Sequence, residues 1–235
     1  DQHAEQGDVG ERGPGVPWRQ LAVLGVGVTM IAVADVLKAP MASIGLVVGG
    51  IGVLALVVRI DHRARVRLLP HRAGDLTTVL GAGYFSMFTL TAASMGFAIY
   101  GPAILQQLRG FSPLWAGYAI GAESLAWTIV AMAVAHAGPV WDRRWIRVGA
   151  VCLVASLLIL AATMANGHLL WVLTGGALMG AAFGFSWAFM SRRVLAVLSD
   201  EDRAIGSSAI TAVRQTGAAA GAGISGVGAN LAGVS

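Results

Sequence analysis

Long apolar stretches alternate with short polar segments along the whole chain, and this pattern indicates its class. A membrane-spanning helix needs about 20 mainly apolar residues to cross roughly 30 Å of hydrocarbon. The pattern predicts seven such helices, at about 18–37, 41–58, 76–106, 113–136, 146–165, 169–190 and 199–235. The sequence therefore predicts an all-α fold, a polytopic bundle of about seven transmembrane helices.

Residues at the ends of these stretches predict where helices begin and bend. Ser112 and Pro113 suit the N-cap and first position of the fourth helix. Ser199 and the acidic run at 200–202 suit the start of the seventh, where the helix dipole favours negative charge. Gly101 and Pro102 predict that the third helix bends or breaks near its outer end, because Pro removes a backbone donor.

The basic residues are distributed unevenly over the gaps between the apolar stretches. Thirteen of the sixteen Lys and Arg residues fall in every second gap, whereas the alternate gaps hold only Lys38 and Arg109. This positive-inside pattern places the Arg-rich side in the cytoplasm, with segments 1–17 and 59–75 as cytoplasmic loops. An odd helix count then places the carboxyl end outside. Segment 1–17 lacks the basic-then-apolar order of a secretory leader and is expected to be an internal loop of a longer protein.

Composition excludes several classes of protein. The chain is 56% hydrophobic and 12% charged, against about 25% charged in a soluble domain. Its net charge of +4 does not indicate nucleic-acid binding, because the positive residues lie in short gaps without a basic, aromatic face. A single cysteine, Cys152, offers no disulfide framework and no metal spacing, and no cofactor is predicted. The many Arg, Ala and Gly residues indicate a GC-rich bacterial genome, and hence a bacterial inner or plasma membrane.

Glycines at four-residue spacing mark possible packing faces in three of the predicted helices. Such spacing lets helix backbones approach closely in lipid. A second interpretation is that the seventh helix, which also carries Gly223, Gly226 and Gly228, bends or slides during transport. The spaced sets are Gly45 and Gly49, then Gly176, Gly180 and Gly184, then Gly217 and Gly221.

Two charged residues, Glu123 and Arg214, are predicted near the middle of membrane-spanning helices. A charge at that depth costs at least about 2.5–3.5 kcal/mol on insertion scales, so it usually faces a cavity or a partner. One hypothesis is therefore a functional site. The other is that one or both residues only hold helices together, through hydrogen bonds or a buried ion pair.

The remaining polar residues favour less specific roles. Asp35 and Lys38 are expected to form a local interfacial pair. Asp61, Asp75 and Asp142 are expected in basic loops, either solvated or tying the loop. A polar run in the third helix could line a substrate path or bond to carbonyls of its own helix; it comprises Tyr84, Thr89, Thr91 and Ser94.

Three segments carry a family resemblance. Residues 100–117 contain two glutamines, then glycine, Ser-Pro and Ala-Gly; residues 138–147 follow Gly-x-x-x-Asp-Arg; residues 212–221 contain Arg-Gln-x-Gly. In order and spacing they resemble the major facilitator superfamily, in its fourteen-helix drug:proton antiporter branch. The second segment departs from the family motif Gly-x-x-x-Asp-Arg-x-Gly-Arg, because Trp145 and Ile146 stand where the family has Gly and Arg.

The resemblance implies a secondary active transporter and not an enzyme. Segment 18–58 would be its central helix pair and 76–235 the first five helices of its carboxyl-terminal bundle, with the amino-terminal six helices and the last helix outside this chain. Its partners would be the lipid bilayer, a small organic substrate, protons and that amino-terminal bundle. Glu123 is the candidate for the coupling proton. Candidates for the substrate cavity are Arg214, Gln215, Tyr84, Thr91, Ser94, Gln106 and Trp127, and those for a conformational-switch loop are Gly138, Asp142, Arg143 and Arg147.

Two other classes compete with transport. A seven-helix receptor remains open, although a retinal protein does not, because the only lysine, Lys38, lies in a turn and not in a late helix. A membrane-embedded enzyme finds little support, since the chain has no intramembrane His-rich or paired-carboxylate motif and Glu123 stands alone.

Overall fold

A computed structural model describes residues 17–34, 37, 39–64 and 66–231. These residues form seven α-helices and a single 3-10 turn, with no β-strand among them. The predicted all-α fold is therefore confirmed. The helices are α1 Trp18–Ala34, α2 Pro40–His62, α3 Val79–Gln107, α4 Pro113–Val134, α5 Asp142–Thr163, α6 Leu169–Ala196 and α7 Asp200–Leu231, and the 3-10 turn Pro139–Trp141 precedes α5.

Five helices of the described residues are long and apolar enough to cross a membrane, so the chain is a multi-pass membrane protein. These are α2 to α6, with α5 counted together with its 3-10 turn. Helix α1 is apolar but has only 17 residues. Helix α7 has 32 residues, but it begins with three acids and contains Arg203 and Arg214. Membrane crossing by α1 and α7 stays a prediction.

Side-chain caps fix several helix starts. The Ser112 hydroxyl accepts a hydrogen bond from the Trp115 amide, with Pro113 at the first position, as predicted. The Ser199 hydroxyl similarly accepts from the Asp202 amide ahead of α7. Helix α3 continues through Pro102 to Gln107, so it does not break there, and a bend at this point stays a prediction.

Helix α6 lies at the centre of the bundle, packed between α5 and α4, and α3 contacts both α6 and α7. The glycines of α6 explain its approach to α4. A Cβ at Gly180 would collide with the Glu123 carbonyl, and one at Gly184 would lie 2.9 Å from the Trp127 carbonyl oxygen. The predicted packing face of α6 is therefore confirmed.

Helix α7 packs on α3 through its own predicted glycine set, Gly217 and Gly221. A Cβ at Gly217 would lie 2.7 Å from the Phe88 carbonyl oxygen, and one at Gly221 would lie 2.7 Å from the Ala92 Cα. Gly223 faces α1 instead, where a Cβ would lie 2.8 Å from the Ile31 carbonyl oxygen. The hairpin of α1 and α2 thus docks on α7.

The predicted glycine face of α2 is only partly right. A Cβ at Gly45 would have no other atom within 4 Å, whereas a Cβ at Gly49 would meet the Met30 side chain at 2.9 Å. The closest backbone approach uses Gly50 instead, where a Cβ would lie 2.9 Å from the Gly27 carbonyl oxygen. The contact between α1 and α2 therefore follows one helix face and not the four-residue spacing alone.

Candidate functional site

Glu123 lies at the midpoint of the 22-residue α4, on a partly buried position. Its backbone carbonyl faces Gly180 of α6, so the residue belongs to the α4–α6 contact. Within the described part of the chain, the Glu123 side chain forms no hydrogen bond and no ion pair. A carboxyl group at this depth without a partner is a functional-site hypothesis by default, since lipid does not solvate its charge.

Trp127, one helical turn after Glu123, is 37% exposed and also faces α6. Its ring centroid lies 5.0 Å from that of Phe183, in a tilted arrangement. The indole therefore packs on α6 with one face and leaves part of its surface outside the bundle. The two predicted site residues of α4 are thus close together in the structure.

Arg214 lies near the middle of α7, and its side chain and that of Gln215 are exposed. The glycines of α7 face α3 and α1, so these two side chains lie off that contact face. Helix α4 packs on α6 and α3, whereas α7 packs chiefly on α3, α1 and α2. Among the described residues, Glu123 and Arg214 do not form an ion pair.

The polar run of α3 is buried and hydrogen-bonded within the bundle except at Thr89, whose side chain is exposed. The Thr91 hydroxyl donates to the Met87 carbonyl at 2.9 Å, and the Ser94 hydroxyl donates to the Thr91 carbonyl at 2.9 Å. These contacts favour the alternative of bonding to carbonyls of the same helix. The side-chain amide of Gln106 likewise donates to the Pro102 carbonyl at 3.1 Å.

Tyr84 differs from its neighbours because it connects two helices. Its phenol donates to the Gly206 carbonyl of α7 at 3.0 Å, and the side chain is 4% exposed. A buried hydroxyl must find such an acceptor, since an unpaired one is costly in an apolar interior. Tyr84 therefore joins α3 to α7 in this conformation.

The expectation that Asp142 lies in a loop is wrong. Asp142 is the first residue of α5 and is 3% exposed. Its carboxylate forms an ion pair with Arg192 of α6, whose guanidinium also donates to the Ala137 carbonyl at 3.1 Å. The sequence separates Asp142 from Arg192 by fifty positions. Only their location at helix ends on the same Arg-rich side could have indicated the pair.

The other predicted residues of the switch loop lie around this ion pair. Gly138 precedes the 3-10 turn, and Arg143 and Arg147 follow Asp142 on α5 with exposed side chains. The carboxylate of Asp142 is therefore buried in the bundle, whereas the side chains of Arg143 and Arg147 are exposed. A role in conformational switching stays a prediction.

Loop-tying hydrogen bonds are confirmed for two of the expected acids, although Asp61 lies in the last turn of α2 and not in the loop. Asp61, 2% exposed, accepts hydrogen bonds from the amides of Leu68 and Leu69 at 2.7 and 2.9 Å. Asp75 accepts from the Thr77 hydroxyl and amide, and these hydrogen bonds lower the pKa of Asp75 below its usual value. These hydrogen bonds connect residues 68, 69 and 77 of the segment between α2 and α3 to the two acids.

Several expectations fall outside the described residues. These concern the loop 1–16, the Asp35–Lys38 pair, Arg65 and the chain end at 232–235.

On the side opposite the Arg-rich loops, Arg109 donates to the Gly167 carbonyl at 2.7 Å and stacks over Phe111. No sequence pattern indicated this tie between two turns. The described residues contain no group of three or more His, Cys, Asp or Glu side chains placed to hold a metal ion.

Comparisons with protein-family models, with curated proteins and with solved structures find no match to this chain. The resemblance to the major facilitator superfamily therefore rests on the three sequence segments 100–117, 138–147 and 212–221.

Proposed function

We propose that this chain is part of a secondary active transporter that exports small amphipathic organic molecules in exchange for protons. The observation that carries the proposal is Glu123, a carboxyl group without a bonding partner at the midpoint of an apolar, membrane-length helix. A second feature supports the proposal, a helical bundle whose basic segments occupy every second gap between the helices and therefore lie on one side.

In the proposed mechanism, Glu123 takes up a proton when it is accessible from outside and releases it when access changes to the cytoplasm. A carboxyl group can act in this way because its neutral form tolerates apolar surroundings and its charged form requires water or a partner. Substrate sites in secondary transporters lie near the membrane midplane, between helix bundles that rock against each other. Glu123 and Arg214 both lie near the midpoints of their helices, which supports a place for them near the membrane midplane.

Arg214 has a separate part in the proposal. It lies on an exposed surface of α7 and is not paired with Glu123 among the described residues, so substrate binding does not require the two charges to separate. An exposed guanidinium at this depth needs an anionic or polar partner or a water-filled path. We assign Arg214 and Gln215 to the surface that faces the substrate path.

The experiment is a transport assay in inside-out membrane vesicles that contain the protein to which this chain belongs. An acidified vesicle interior should drive uptake of ethidium or another small amphipathic dye, and a protonophore should abolish the uptake. Vesicles without the protein serve as the control. If no dye of a broad panel accumulates, and dye addition never releases protons from the vesicles, the proposal of proton-coupled export is wrong.

A further inference from the structure

A second cluster of charged residues lies away from Glu123, at the Arg-rich end of the bundle. A cavity of about 360 Å³ opens there between the start of α3, the start of α5 and the end of α6. Its polar lining consists of three arginines and three hydroxyl residues: Arg143, Arg147, Arg193, Thr77, Thr78 and Ser86. No carboxylate of the described residues lines it. A cavity with three positive charges and no negative one is suited to an anion.

The three arginines keep their charge available to a ligand. None of them forms an ion pair or a side-chain hydrogen bond within the described residues. The two acids nearest along the chain are already engaged, because Asp75 accepts from Thr77 and Asp142 is paired with Arg192. Guanidinium groups bind phosphate through two parallel hydrogen bonds, which makes phosphate the anion that this set of side chains fits best.

The surroundings indicate that this phosphate belongs to a lipid. Arg143 and Arg147 also line a second cavity along the outer side of α5, together with Val148, Val151 and Cys152. Val151 is 68% exposed, so an apolar surface continues directly from the arginines down the helix. A phospholipid can place its phosphate among the arginines and an acyl chain along this apolar surface. A soluble phosphate would contact only the arginines.

We propose that the Arg143–Arg147–Arg193 cavity binds the phosphate of an anionic phospholipid from the membrane leaflet on the Arg-rich side. Basic pockets between transmembrane helices on the cytoplasmic side suit such headgroups. Bound there, the lipid bridges α5 and α6 next to the Asp142–Arg192 ion pair. The proposal is independent of transport and of Glu123.

The test is lipid binding to the purified protein, measured by native mass spectrometry. Phosphatidylglycerol and phosphatidylcholine with identical acyl chains are titrated separately, and inorganic phosphate is used as the soluble probe. We expect phosphatidylglycerol to bind the more tightly. Because each arginine supplies a charge-assisted contact, Arg193→Gln and Arg147→Gln should each weaken its binding about tenfold.

The matched control is Arg203→Gln, which removes the same charge at the same end of the bundle but lines neither cavity. It should change phosphatidylglycerol affinity by less than about twofold. Arg193→Lys keeps the charge and should retain intermediate affinity, and an unchanged unfolding temperature shows that each variant is folded. Equal loss in Arg203→Gln and Arg193→Gln, or equal affinity for both lipids, would overturn the proposal. Inorganic phosphate binding that depends on Arg193, with phosphatidylglycerol binding unaffected, would assign the cavity to a soluble anion instead.

Discussion

Asp142 and Arg192 form a part-buried ion pair that holds the ends of α5 and α6 together. The Asp142 carboxylate is almost fully buried, and the Arg192 guanidinium satisfies it while also bonding the Ala137 carbonyl. Removing one partner of a buried ion pair leaves the other charge without compensation, which is more damaging than losing an exposed pair. The contact is therefore expected to matter for the stability of this end of the bundle.

Asp142→Asn should lower the free energy of unfolding by about 2 kcal/mol, less than for a fully buried pair because Arg192 is partly exposed. The measurement is thermal unfolding of the purified protein in detergent. The matched control is Asp200→Asn, which breaks the exposed pair between Asp200 and Arg203 and should change stability little. Equal effects of the two substitutions would show that the Asp142 contact is not stabilising.

Asp75 provides a pH-dependent contact at the start of α3. The hydrogen bonds from the Thr77 hydroxyl and amide favour the ionised carboxylate and lower its pKa. Its stabilising contribution is therefore present at neutral pH and is lost as the pH falls through that lowered pKa. Thr77→Val removes the hydroxyl donor but not the amide, so the pKa of Asp75 should rise towards its ordinary value of 3.8. A carbon NMR titration of the Asp75 carboxyl measures this, and an unchanged pKa would contradict it; Thr174→Val is the control.

Among the helices, apolar stretches in the sequence were sufficient to locate all seven elements. The capping residue Ser112 was equally readable, because a hydroxyl before a helix satisfies a free amide locally. The helix ends that the sequence did not predict are set by partners far away along the chain. Helix α5 begins at Asp142, four residues before its first strongly apolar position, because Arg192 compensates the carboxylate in a buried position.

Packing partners were less predictable than the helices themselves. Glycine spacing indicated packing faces of small residues on α2, α6 and α7. Only the tertiary contacts decide which of these glycines meet a neighbouring helix. Gly45 faces open space, whereas Gly180 lies against the backbone of α4. For the same reason the sequence could name Glu123 and Arg214 as charges at membrane depth but could not tell whether they pair.

The approach of α4 to α6 can be tested at Gly180. An added Cβ would lie 2.8 Å from the Glu123 carbonyl carbon and 2.9 Å from the Trp127 amide nitrogen, and both are backbone atoms that cannot turn aside. Gly180→Ala should therefore destabilise the folded protein by about 1–3 kcal/mol in thermal unfolding. Gly121→Ala, on α4 with nothing within 4 Å of its Cβ, is the matched control and should be neutral. Wild-type stability of the Gly180 variant would show that the helices are further apart.

Across the bundle as a whole, the basic loops lie at one end. Thr77 precedes α3, Arg143 lies in the first turn of α5 and Arg193 in the last turn of α6, yet all three line the same cavity. This places the loops before α3, before α5 and after α6 at one end, as the alternation of charge predicted. The positive-inside rule assigns that end to the cytoplasm.

Single cysteines introduced after Cys152→Ser test this orientation in intact cells. A membrane-impermeant maleimide should label a cysteine at Asn166 and should not label one at Arg63 or Arg143 until the membrane is permeabilised. Both sets of positions are exposed in the structure, so access to the reagent is the only difference expected between them. The reverse labelling pattern would contradict the predicted orientation.

Proton binding and release at Glu123 is the basis of the proposed transport cycle, and Glu123→Gln isolates this step. Glutamine keeps the size and hydrogen-bonding capacity of the side chain but cannot titrate. The control is Glu201→Gln, the same substitution at an exposed acid in the first turn of α7. The measurement is dye-driven proton release together with dye binding, in vesicles containing the protein. We expect Glu123→Gln to bind dye with near-normal affinity but to show neither proton release nor gradient-driven uptake, whereas normal pH-dependent transport by this variant would contradict the proposed role of Glu123.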